Sequence, residues 1–128
     1  MSVDSVTTAV LGLAERTLRE SWIEGERGGV RYAYARPSPR HYPCQCYRDA
    51  CFHAIVWRRV DRAPAESELR RQLAGSSEDG FIGHTIFWDR PVDWQRRWTY
   101  NVTSKRALST STIQPPLLAW AWRIAVGD

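Results

Sequence analysis

Between Ala63 and Gly75 the chain reads APAESELRRQLAG, the most plainly punctuated helix in the sequence. Pro64 sits in a first turn, where a missing amide is tolerated, and Gly75 stops the run. Ala65, Leu69 and Leu73 recur along one face, while Glu66 and Arg70 stand i,i+4 as a surface ion pair. That stripe needs a partner, and three further segments of the same kind offer one. Residues 4–20 carry Val6, Val10, Leu13 and Thr17/Leu18 at helical spacing behind Asp4 or Ser5 as a cap. Residues 49–60, DACFHAIVWRRV, are apolar on most sides, as a buried helix is. Pro115 and Pro116 open PPLLAWAWRIAV, whose face of Leu117, Trp120 and Ile124 again asks for a neighbour. No strand repeat is evident, so the sequence predicts an all-α chain of about four helices.

The connections do not suit a self-contained bundle. EGERGG breaks the first helical pattern, and VRYAYARPSPRHYP follows as an extended loop with three prolines. Residues 78–104 are rich in aromatics and turn signals, with short extended pieces. Bundles normally close through short loops and keep their aromatics inside. Here the long loops carry the aromatics, and long ordered loops are often functional.

A length of 128 residues allows one domain, and 43% hydrophobic with 25% charged residues is a globular composition. No apolar run reaches membrane-spanning length, and the N-terminus reads as a helix rather than a signal peptide, so no membrane partner is expected. The expected compartment is cytoplasmic, where cysteines are reduced. The net charge of +4 comes almost wholly from arginine, with Lys105 the only lysine. The arginines are scattered among acids and form no stripe, so no nucleic-acid partner is expected. Seven tryptophans, at 22, 57, 88, 94, 98, 120 and 122, exceed an ordinary core of this size. They read either as core and surface anchors or as an aromatic-lined pocket.

All three cysteines and two of the three histidines crowd into HYPCQCYRDACFH, residues 41–53. Cys44, Cys46, Cys51 and His53 have the right count for structural zinc, but C-x-C is a poor chelate beside the usual C-x2–4-C. On a helix, Cys51 and His53 also point about 200° apart. No metal and no cofactor are expected. A zinc-stabilised small domain stays as a rival that metal analysis separates.

With tryptophan at positions 46 and 48, residues 42–55 would read YPxQWxWDxCFHAI. That motif resembles the one preceding the second helix of (α/α)6-toroid glycosidases of glycoside hydrolase family 63. The closest resemblance is to the bacterial branch with mannosylglycerate and glucosylglycerate hydrolases. LRRQLAGSSEDGFIGHTIFW (69–88) is similar to that family's helix and DGfIpH…W loop. TSTIQPPLLAWA (110–121) is similar to its TsitQPP approach to the next inward helix. Together the matched stretches run from about residue 36 to 126.

The resemblance implies an incomplete sector of an (α/α)6 toroid with long aromatic-rich loops. Residues 1–128 would form a single partial domain, the N-terminal third of a glycosidase catalytic domain. Family members are inverting enzymes with an Asp acid and a Glu base. Both match positions beyond this chain, which alone is expected to be inactive. Asp49 matches the family's substrate-binding Asp, and Tyr42 and Gln114 match pocket positions, with Gln45, His84 and Trp88 as further candidates. Each also has a structural reading: Asp49 and Gln114 as helix caps, His84 and Trp88 as core. Cys46 and Arg48 depart from the pattern, since neither offers a flat face to a sugar. The cysteines then read as substituted sugar-site positions plus one ordinary helix residue. The expected partner is a small-molecule glycoside, with a complementing chain for the rest of the toroid. A non-catalytic helical carbohydrate-binding module is the other reading.

Overall fold

In the computed structural model, residues 2–90, 92–103 and 108–127 are described. Lys105 and the part of the aromatic stretch at 91 and 104 lie outside them. Helix α1 (Val3–Ser21) starts where the Ser2 side chain accepts from the Ser5 amide at 3.2 Å. Its expected apolar stripe stays uncovered: Val6, Val10 and Leu13 are exposed, and only Leu18 and Ser21 at its end are buried.

Strands β1 (Trp22–Arg27) and β2 (Val30–Ala35) correct the expectation of a loop and of an all-α chain. They pair antiparallel from Trp22↔Ala35 to Arg27↔Val30. Gly28 and Gly29 join them with φ of 58° and 79°, a two-residue turn that side-chain-bearing residues adopt poorly. Two short strands, β3 (Gln45–Cys46) and β4 (Thr85–Ile86), form a second antiparallel pair.

Helices α2 (Tyr47–Trp57), α3 (Arg62–Ala74) and α5 (Leu118–Ala125) pack together, as expected, behind the hairpin. Asp61 caps α3 by accepting from Ala63 N at 3.1 Å. Ala54, Ala65, Ala121 and Ala125 let the three helices approach, and Cys51, Trp57 and Leu69 fill the space between. α3 also seals the outer edge of β2. The Glu68 carboxylate accepts from Ala35 N, while Ser67 Oγ and the Arg71 guanidinium donate to the carbonyls of Ala33 and Arg31. A bare strand edge is thereby paired without another strand. A fifth helix, the short α4 (Trp94–Thr99), was not anticipated and begins where Asp93 accepts from Arg96 N at 2.8 Å.

Candidate functional site

Three sequence stretches, far apart along the chain, meet at one place. β3 and β4 bring residues 45–46 against 85–86. Ile86 bridges to Ser109, and Phe87 N and Thr110 N bond the carbonyls of Leu108 and Thr85. Gly83 permits this closeness, because a Cβ there would stand 2.5 Å from the Thr110 carbonyl oxygen. The junction forms the floor of a cleft of about 440 Å³.

Tyr42, Asp49, His84 and Gln114 all line that cleft. Tyr42 is half exposed at its rim, held by paired backbone bonds between residues 38 and 42. Asp49 lies in the first turn of α2, where the helix dipole favours a carboxylate. It is not the cap: the N-cap position is Cys46, which makes no side-chain cap bond. The first turn is fastened by others. Tyr47 N donates to the His84 carbonyl at 2.8 Å, and Arg48 N donates to Gln114 Oε1 at 2.7 Å. In return Tyr47 Oη accepts from Leu118 N at 3.1 Å, so each helix start supplies the other's cap. Gln114 is therefore a cap, but for α2 rather than for the helix that follows it. Among the described residues the Asp49 carboxylate accepts no hydrogen bond, which leaves its oxygens to the cleft.

Gln45 and Trp88 do not line the cleft. Both are buried beneath it: Trp88 Nε1 donates to Gln45 Oε1 at 2.8 Å, and Gln45 Nε2 donates to the Glu68 carbonyl at 2.9 Å. Trp88 also stacks on Tyr32 with ring centroids 6.0 Å apart. They support the floor from below.

The cleft mixes charges. Burial pulls His84 below its ordinary pKa; the Asp49 carboxylate opposes that shift and the Arg48 guanidinium adds to it. His84 is thus a neutral imidazole at neutral pH, able to donate from one nitrogen and accept at the other. Arg48, Arg90 and Arg96 line the cleft together with Asp49 and Asp89. Arg90 is tied to Asp89 at 3.0 Å. Tyr100 adds an aromatic wall, its ring 5.9 Å from that of Phe87. Sequence reading missed Asp89, Arg96 and Tyr100; only the turn-rich context of residues 78–104 pointed there.

The cysteines divide between two places. Cys51 sits in the helical core beside Ala54 and Trp57, whereas Cys44 and Cys46 pack with Phe87, Val92 and Val102. Among the described residues no group of three His, Cys, Asp or Glu side chains is placed to hold a metal ion. Cys44 and Cys46 thus lie in one cluster and Cys51 in another, so the candidate set Cys44, Cys46, Cys51 and His53 is not gathered at one point. His53 faces a different partner: its Nδ1 is 3.5 Å from Glu68 Oε1. Burial works to lower the His53 pKa, but the Glu68 carboxylate outweighs it and the net shift is upward. Burial likewise raises Glu68, against the opposing pull of His53.

Among the described residues no helix is long and apolar enough to cross a membrane. No curated protein and no solved structure matches the chain. The family model described as the mannosylglycerate hydrolase MGH1-like glycoside hydrolase domain matches residues 42–126. That span contains α2, α3, α5 and the whole floor of the cleft, with all three sequence stretches that meet there. Over well more than half its length, then, the chain is a glycoside hydrolase domain, and it belongs to the MGH1-like family.

Proposed function

We propose that the chain supplies part of the sugar-binding wall of an inverting glycoside hydrolase acting on small glycosides such as mannosyl- or glucosylglycerate. The observation that carries this reading is the convergence of Tyr42, Asp49, His84 and Gln114 on one cleft. Asp49 accepts from two sugar hydroxyls, His84 and Gln114 Nε2 donate, and Tyr42 or Tyr100 offers a flat face to the ring. The general acid and base belong to other residues, outside this sector of the toroid. Of the two carboxylates that line the cleft, Asp89 is already engaged by Arg90.

A complementing polypeptide carrying the rest of the toroid completes the site. Support comes from uncovered apolar faces: Val6, Val10 and Leu13 on α1, and Trp120 and Ile124 on α5 beside Phe52. Patches of this kind mark surfaces that other protein covers.

Calorimetric titration of the full chain with glucosylglycerate and mannosylglycerate tests the wall. Asp49→Ala weakens binding about 10- to 100-fold, the value of hydrogen bonds to a charged acceptor. Equal affinity in the variant would remove Asp49 from the site. Release of free sugar by the chain alone would overturn the assignment of acid and base elsewhere.

A further inference from the structure

The cleft holds two thiols that a sugar wall does not need. Cys44 and Cys46 flank Gln45 at the start of β3, where successive side chains leave opposite sides of an extended backbone. Gln45 turns inward to Trp88 and Glu68. Cys44 and Cys46 turn the other way, share one apolar cluster and both line the cleft. Neither is in a disulfide. We propose that Cys44 and Cys46 form a two-coordinate site for a soft monovalent cation of the copper(I) class, open to the cleft.

Thiolate sulfur is the soft ligand that selects such ions. Tetrahedral zinc takes four ligands, and no third His, Cys, Asp or Glu stands with this pair among the described residues. A linear two-sulfur ion needs only what is present. On binding, two sulfur–metal bonds form and two thiol protons pass to solvent; no oxidant is consumed. The bound unit, two thiolates around a monovalent ion, carries one negative charge. Around it the Asp89 carboxylate acts on Cys44 and the Asp49 carboxylate on Cys46, both against a negative charge, while the Arg96 guanidinium acts on Cys44 in its favour. The ion takes the place of the two thiol protons, so affinity rises with pH.

The test is anaerobic titration of the full chain with Cu(I) against a chromophoric copper(I) chelator. One Cu(I) per chain is expected, with affinity reduced more than about tenfold by Cys44→Ser and by Cys46→Ser. Native thiol alkylation followed by peptide mapping needs no variant. There, Cu(I) slows the labelling of Cys44 relative to the metal-free chain. Affinity indifferent to both serine substitutions, or labelling unchanged by Cu(I), would overturn the site. Neither readout depends on glycoside binding.

Discussion

A single amide, the side chain of Gln114, joins the cleft to the helix that frames it. Its Oε1 caps Arg48 N while its Nε2 remains toward the cleft. Gln114→Ala lowers stability by about 1 kcal/mol, the ordinary value of a lost cap, and Gln114→Glu retains an acceptor and most of that stability. Urea midpoints of the two variants check the difference. His53 and Glu68 give the molecule a pH dependence of definite sign. A histidine whose folded pKa is raised stabilises below its unfolded value, and that stability is lost as pH rises through the folded value. A glutamic acid raised by burial acts in the same direction, because its folded state prefers the proton. The contribution of this pair to stability therefore falls between pH 6 and pH 8.5, and His53→Gln flattens the His53 share of that fall. Denaturant titrations at both pH values measure it; a steeper fall in the variant would contradict the pairing.

At the scale of elements, the floor of the cleft depends on close backbone approach at Gly83. Gly83→Ala drives a Cβ against the Thr110 carbonyl and costs about 1–3 kcal/mol, the range of overpacked sites. Thermal unfolding reads this directly, and an unchanged midpoint would mean that the floor shifts freely. The helices α2, α3 and α5 were legible because Pro64, Gly75 and Pro115–Pro116 mark boundaries and the apolar spacing is helical. The hairpin was hidden. WIEGER and VRYAYA flank Gly28-Gly29, a strong turn signal, yet the burial that makes them strands comes from α3 binding the β2 edge. The motif residues Tyr42, Asp49 and Gln114 were legible by type. That Gln45 and Trp88 bond each other under the floor was not, since only the pairing of β3 with β4 brings them together.

At the scale of the whole molecule, the contrast is between a well-filled centre and bare flanks. Trp57 is almost wholly buried, in edge contact with Trp22 at 5.7 Å, and Trp57→Ala costs about 3–5 kcal/mol. The flanks show the opposite: Trp94 and Trp98 on α4 are 81% and 88% exposed, more open even than Val6 and Val10 of α1. A chain with such faces self-associates or binds apolar dyes, and Val10→Lys with Leu13→Glu reduces both. Sedimentation of the double variant against the parent checks this; identical association would place the sticky surface elsewhere. The reciprocal caps between α2 and α5 bear on how the chain is made. Their hydrogen bonds join residues 66 and 71 positions apart. During synthesis the start of α2 leaves the ribosome long before Gln114 and Leu118 exist, so it waits with frayed amides. This side of the cleft closes only when Gln114 and α5 arrive, and a nascent chain halted short of Gln114 has Tyr42, Asp49 and His84 but not the amide that fastens α2 beside them.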